Sequence, residues 1–278
     1  MPLVTCVIAA VLGVTAAAWP EVRARTLGDS GPSMRATLAA AFADHEWPKP
    51  KPGSWQPPKP GTDGLPPVIK QIGTQDKVVF LTIDDGWEKD PQLVDIIRRQ
   101  QVPIVTFLTD QAARGHYQYF WALKKAGSPI EDHTMSHPNM AVLPLEAQRQ
   151  QICQSADIFA REYGRRPQLF RPPFGSFNEQ TRQAARDCGM KAILIWSAEF
   201  YNGTHSPDGV PNKFARADGG TGFRPGDIIL MHFRPGVGKD FATILGWIRQ
   251  QGFRPAPLRD YLPAALGGDA PAPATNPA

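Results

Sequence analysis

Continuous apolar runs, not alternating ones, dominate the hydrophobic pattern of this chain between residues 77 and 255. Val78-Val79-Phe80-Leu81-Thr82-Ile83, Pro103-Ile104-Val105-Thr106-Phe107-Leu108, Ala192-Ile193-Leu194-Ile195-Trp196 and Asp227-Ile228-Ile229-Leu230-Met231 are rich in β-branched and aromatic side chains. Runs of that kind read as strands buried on both faces. Between them the period lengthens. Pro91 to Gln100 starts with proline and carries Leu93, Ile96 and Ile97 on one helical face. Tyr117–Ala126, Leu145–Tyr163, Asn178–Asp187 and Asp240–Gln250 read as further helices, with Asn178 as a cap. Short strands are expected at Pro129-Ile130, at Gln168–Arg171 and near Phe253. Strand and helix alternate throughout, which predicts an α/β fold, a deformed (β/α) barrel of about seven parallel strands.

The flanks follow other patterns. Residues 3–18 form an uncharged apolar run ending in Ala16-Ala17-Ala18, too short for a comfortable membrane span. It suits a signal peptide (1–18) or an uncleaved anchor contacting a membrane, although Arg23 and Arg25 follow it and no Lys or Arg precedes it. A lipoprotein reading of Leu3-Val4-Thr5-Cys6 is rejected, because the cysteine comes before most of the apolar run. Residues 19–75 hold a short helical pattern within 29–47 and then Pro48-Lys49-Pro50-Lys51-Pro52 and Pro57-Pro58-Lys59-Pro60. Prolines at that density predict an extended, basic leader, not a ladder or helix. The globular domain is expected over 76–263, and the Ala/Pro-rich residues 264–278 as a disordered tail.

Composition adds a few constraints. A chain of 278 residues can bury one sizeable core. A net charge of +4 is compatible with anionic surfaces such as cell-wall polymers and too weak to argue for nucleic acid, so no nucleic-acid partner is expected. Removal of residues 1–18 would take Cys6 and leave Cys153 and Cys188, either bridged in an oxidising compartment or buried as thiols.

The candidate chemistry sits where the buried runs end. Asp84 and Asp85 close the first run, followed by Gly86. Adjacent carboxylates there repel and lose solvation, and persist only if a cation, a proton or strong donors offset the cost. His133 and His137 are four apart, a spacing at which imidazoles can converge on one ion, and His232 ends another buried run. Two histidines and one carboxylate make an open metal site, leaving the second carboxylate free to take a proton. Arg171-Pro172-Pro173-Phe174-Gly175 is a rigid loop that aims the Arg171 guanidinium. Singly, these motifs have plainer readings as a solvated turn, an incidental histidine pair and a structural salt bridge.

Together they resemble the polysaccharide deacetylases with a NodB homology domain, carbohydrate esterase family 4. That family's Thr-Phe-Asp-Asp-Gly pattern stands here as Thr82-Ile83-Asp84-Asp85-Gly86, and its His-Thr-x-x-His as His133-Thr134-Met135-Ser136-His137. Its Arg-Pro-Pro-Tyr-Gly loop is Arg171-Pro172-Pro173-Phe174-Gly175, and its Leu-x-His strand end is Leu230-Met231-His232. The resemblance runs from Lys77 to Leu262. It implies one divalent metal ion, zinc first, with cobalt or another divalent metal as the alternative, on Asp85, His133 and His137. Asp84 would be the general base, oriented by Arg171, and His232 the general acid, with the Phe174 backbone N–H assisting a developing oxyanion.

The implied activity is removal of acetyl groups from N-acetylhexosamine units of peptidoglycan or a chitin-like glycan, by a secreted or surface-held monomer. Acetylated xylan and a carbohydrate-binding pseudoenzyme are the alternatives. A non-haem iron oxygenase also uses two histidines and a carboxylate, but needs neither Asp84 nor Arg171. The chain departs from the family pattern in three places. Trp87 replaces a proline after Gly86, Glu199 replaces an aspartate in Trp196-Ser197-Ala198-Glu199, and Gly203 falls where a second tryptophan is expected. Trp87, Phe174 and Leu230 are candidate substrate contacts, and Glu199 is expected to reach His232 and keep it charged.

Overall fold

All eight residues of Val78–Asp85 are buried, and this strand is the one around which the other elements are laid. The computed structural model describes residues 47–51, 53–59, 61, 63–201 and 213–269. The expected signal or anchor segment, the helical pattern before Trp47, Gly203 and the chain beyond 269 lie outside them. In chain order the strands are β1 (Trp55–Gln56), β2 (Val68–Ile69), β3 (Gly73–Thr74), β4 (Val78–Asp85), β5 (Ile104–Leu108), β6 (Ile130–Asp132), β7 (Leu169–Phe170), β8 (Ala192–Leu194), β9 (Ala198–Tyr201), β10 (Lys213–Arg216), β11 (Asp227–His232) and β12 (Arg254–Pro255). The helices are α1 (Pro91–Gln100), α2 (Asp110–Ala113), α3 (Tyr117–Lys125), α4 (Leu145–Tyr163), α5 (Glu179–Asp187) and α6 (Val237–Gln250).

The main sheet runs β10-β9-β11-β4-β5-β6-β7-β8-β2, with β12 also on β4. Every pairing in it is parallel except β10 on β9, so the sheet is a curled, parallel half-barrel, in keeping with the deformed (β/α) barrel expected. Period-two alternation divides the packing of β4 between two of the three buried clusters. Val79, Leu81 and Ile83 of β4 pack with Leu93, Ile97, Phe241 and Leu245 of the covering helices. Val78 and Phe80 turn the other way, onto Phe107, Leu194, Tyr261 and Leu262. The expected helices form close to their expected ends. Asn178 caps α5 reciprocally, its side chain accepting from Thr181 N while Thr181 Oγ1 accepts from Asn178 N.

Two expectations about the flanks are corrected. The leader is not a free spacer up to 75, because β1 pairs with β3 and β2 forms the sheet edge beside β8. Trp55 Nε1 donates to Tyr261 O at 3.1 Å, and Ile69 and Ile72 are buried. At the other end, residues 264–266 form a tight helical turn with Leu266 buried, so the packed chain passes 263. Both stretches contribute apolar side chains to the β4 inner cluster, which rewards their ordering. Cys153 of α4 and Cys188 just after α5 form a disulfide. No described helix is long and apolar enough to cross a membrane.

Candidate metal and active site

The site lies along the C-terminal edge of the sheet, where backbone groups and side chains after successive strands converge. Register places Asp84 beside both His232 and Phe107, and Asp85 beside Leu108. An ideal strand would send Asp84 and Asp85 to opposite faces. Asp85 breaks that alternation with φ 80°, and both carboxylates then approach His133 Nε2, Asp84 Oδ2 at 3.8 Å and Asp85 Oδ1 at 3.6 Å. Gly86 makes the turn possible. Its φ is +105°, and a Cβ there would lie 3.0 Å from the Phe120 ring and 3.1 Å from Leu108.

The histidines stand on a loop, not a helix. Thr134 and His137 both have positive φ, 74° and 61°, conformations a non-glycine residue adopts only when its surroundings impose them. Those surroundings are visible. Thr134 N donates to Asp132 Oδ1 at 2.7 Å, and Ser155 Oγ of α4 donates to Asp132 Oδ2 at 2.7 Å. His137 N donates to Thr134 Oγ1, Thr109 Oγ1 to His133 O, and Met135 N to Gln151 O. Burial pushes the Asp132 carboxyl up to about 8, against the hydrogen bonds it accepts from Ser155 and Thr134.

His133 is buried, and burial pushes its pKa down to about 3, leaving a neutral ring. Its Nδ1 lies 2.7 Å from Arg171 O, and a carbonyl only accepts, so the ring proton is on Nδ1 and the lone pair on Nε2. His137 Nε2 lies 3.2 Å from Asp85 Oδ1. Asp85 Oδ1 is itself buried and has no hydrogen-bond partner. Burial would raise the Asp85 pKa, but His137, at hydrogen-bonding distance, and then the charges on His133 and His232 outweigh it and bring it to about 2. One ligand atom each from Asp85, His133 and His137 lie within 4.8 Å of one another. An ionised carboxylate oxygen without a donor, facing an imidazole lone pair, fits a divalent cation.

Arg171 is fully buried. It donates from Nε to Leu194 O (3.0 Å), and from Nη1 to Thr82 Oγ1 and Asp84 Oδ1 (2.7 Å each), with its guanidinium 4.2 Å over the Phe107 ring. Burial lowers its pKa and the Asp84 carboxylate opposes that. For Asp84 burial dominates as well, pushing its pKa up to about 6 against the pull of Arg171.

His232 is 29% exposed, and Glu199 Oε1 lies 3.8 Å from its Nδ1, within ion-pair reach and beyond hydrogen-bond length. Burial lowers the His232 pKa, with Asp84 and Asp85 opposing. Burial sets that net direction and outweighs the neighbouring carboxylates.

A polysaccharide deacetylase profile matches residues 71–193. The chain is also 36% identical over 202 residues to an uncharacterized protein of Streptomyces coelicolor, covering 71% of this chain and 78% of that one. The chain belongs to the polysaccharide deacetylase family. A peptidoglycan-N-acetylglucosamine deacetylase of Bacillus cereus is 32% identical over 162 residues, 57% of this chain and 56% of that protein. Among solved structures, a CE4 family pseudoenzyme from Bacillus anthracis matches with a TM-score of 0.60 at 21% identity, over 74% of this chain and 73% of that one. A family 4 carbohydrate esterase from Bacillus anthracis matches with 0.58 at 23%, over 76% and 96%. These likenesses show the deacetylase fold.

On that fold the expected substrate contacts separate. Phe174, at φ 61°, is 68% exposed and sets its ring edge-to-face against His137, 4.6 Å between centroids. Trp87 is 44% exposed, its carbonyl held by Lys89 Nζ at 3.0 Å. Leu230, the third expected contact, is 2% exposed and level with Thr82 and Glu199 in the sheet. Sequence reasoning missed Arg234, whose Nη2 lies 3.2 Å from Asp85 Oδ2. A signal was available, since Arg234-Pro235-Gly236 after a strand end is the same kind of stiffened loop as Arg171-Pro172-Pro173.

Proposed function

We propose that this chain is a metal-dependent hydrolase that removes acetyl groups from N-acetylhexosamine units of peptidoglycan or a related glycan. The observation that carries the reading is the buried Asp85 Oδ1, 3.6 Å from His133 Nε2 and 3.2 Å from His137 Nε2, with one ligand atom of each residue within 4.8 Å of the others. Asp85, His133 and His137 would hold one divalent cation, zinc first and cobalt next, which would supply Lewis acidity toward an acetyl carbonyl and water.

Asp84 is the general base in this reading. Arg171 ties its Oδ1, which leaves Oδ2 as the atom that takes a proton from the attacking water. Its pKa of about 6 suits that work, because the carboxylate is mostly ionised above that pH and still a competent proton acceptor. As the C–N bond breaks, His232 gives a proton to the departing amine, so acetate and a free amino sugar result. Glu199, 3.8 Å from the His232 ring, opposes the loss of that proton. Phe174 and Trp87 offer exposed aromatic faces for sugar rings.

The names of two Bacillus cereus relatives, peptidoglycan-N-acetylglucosamine deacetylases, support peptidoglycan as the first substrate to try. The Cys153–Cys188 bridge supports an exported protein. Acetate release should be assayed in parallel on peptidoglycan, chitooligosaccharides and acetylated xylan, before and after chelation and with Zn²⁺ or Co²⁺ restored. Metal-restored release from an N-acetylated glycan is expected. Release from xylan alone would change the substrate class, and no release from any glycan by the metal-loaded protein would overturn the hydrolase reading in favour of a pseudoenzyme.

A further inference from the structure

Arg234 takes no part in the reaction above, yet its guanidinium sits on the carboxylate that would ligate the cation. The two oxygens of Asp85 have different neighbours. Oδ2 is 3.2 Å from Arg234 Nη2, whereas Oδ1 faces His137 Nε2 at 3.2 Å and His133 Nε2 at 3.6 Å. A carboxylate with both oxygens free can rotate and can bind a cation through one oxygen or both. An ion pair on Oδ2 stops the rotation and leaves Oδ1 as the oxygen offered. The guanidinium is delivered from a fixed base. Arg234 N donates to His232 O at 2.9 Å, Val237 N donates to Arg234 O at 3.0 Å, and Gly236 turns the chain at φ 84° into α6. The parallel register of His232 with Asp84 brings that turn alongside the end of β4.

We propose that Arg234 is a positioning residue for Asp85, holding Oδ2 so that Oδ1 alone completes a divalent-cation site with His133 and His137. The inference rests on the metal-dependent reading above. Outer partners that orient ligands are commonly worth 10–100-fold in metal affinity. The guanidinium charge acts in the opposite sense, by repelling a bound dication and competing for the same carboxylate. Affinity therefore distinguishes a positioning residue from a competitor by its sign.

The test is the dissociation constant for Zn²⁺ and Co²⁺, measured on the full chain by competition with a chromophoric chelator. Arg234→Ala should weaken binding by about 10–100-fold, and Arg234→Lys, which keeps a cationic donor, should recover most of it. Thermal stability of the metal-free protein should fall less than in Arg171→Met, since the Arg234 side chain is 36% exposed whereas Arg171 is fully buried. Arg234→Met keeps the packing of the stem and serves the same test if the alanine variant does not fold. Affinity equal to or tighter than wild type in Arg234→Ala or Arg234→Met would overturn the proposal while leaving the metal reading intact. Wild-type protein that binds neither ion would overturn both, and this shows before any variant is made.

Discussion

Replacing Arg171 by methionine tests how the site is held together. The substitution takes a donor from Leu194 O, Ile195 O and Thr82 Oγ1, and leaves Asp84 buried without its cation. Breaking a buried ion pair from one side costs about 3–5 kcal/mol. The cost has two parts with different pH dependence. Lost hydrogen bonds count at every pH, whereas the stranded carboxylate counts only when ionised. In the native protein Asp84 titrates at about 6, against about 3.9 in the unfolded chain. The native state thus holds this proton more tightly. The stability from Asp84 is full below pH ~4, is lost as pH rises through ~6, and above that is lower by about 3 kcal/mol.

Without Arg171 the carboxyl moves further up, and each further pH unit removes about 1.4 kcal/mol of stability at high pH. A rise to about 7–8 makes Arg171→Met about 1–3 kcal/mol more destabilising at pH 8 than at pH 5. His133, pushed down to about 3, makes the wild-type curve rise over much of the same range. The difference between variant and wild type is therefore the quantity to measure, by urea unfolding of chelator-treated protein at several pH values. Asp84→Asn in the Arg171→Met background should flatten the pH dependence. A destabilisation equal at pH 5 and pH 8 would refute the claim that Arg171 compensates the Asp84 charge.

Asp84→Asn alone should keep its metal in equilibrium dialysis and lose about 10²–10⁴ in kcat, the usual worth of a positioned base; loss of the metal would make Asp84 a ligand instead. Cys153→Ser with Cys188→Ser should lower stability to denaturant by about 3–4 kcal/mol, given the separation of 35 residues, and two free thiols in unfolded wild-type protein would contradict the bridge. Glu199→Gln should move the alkaline limb of the kcat/KM profile to lower pH, because the imidazolium of His232 loses a neighbouring carboxylate. A limb that stays in place would show that Asp84 and Asp85 alone retain that proton.

The sequence by itself determined the sheet and the membership of the site. Short apolar runs without alternation and rich in β-branched residues, such as Val78–Ile83 and Ile228–Met231, read as strands covered on both faces, and their polar ends then fall on one edge. Asp84, Asp85, His133, Arg171 and His232 were identifiable for that reason. Strands of two residues carry no period, so β1 and β2 were hidden among prolines; their order comes from Tyr261 and β8, distant in sequence. Tertiary structure alone decided how the side chains meet. The positive φ of Asp85 and His137 is imposed by surrounding packing and hydrogen bonds, and it turns two carboxylates and two imidazoles toward one point. The meeting of Arg234 with Asp85 needs the register of two strands more than 140 residues apart. The downward shift at His232 is a property of burial, which has no local signature, because desolvation depends on every atom that excludes water and not on the residues next in the chain.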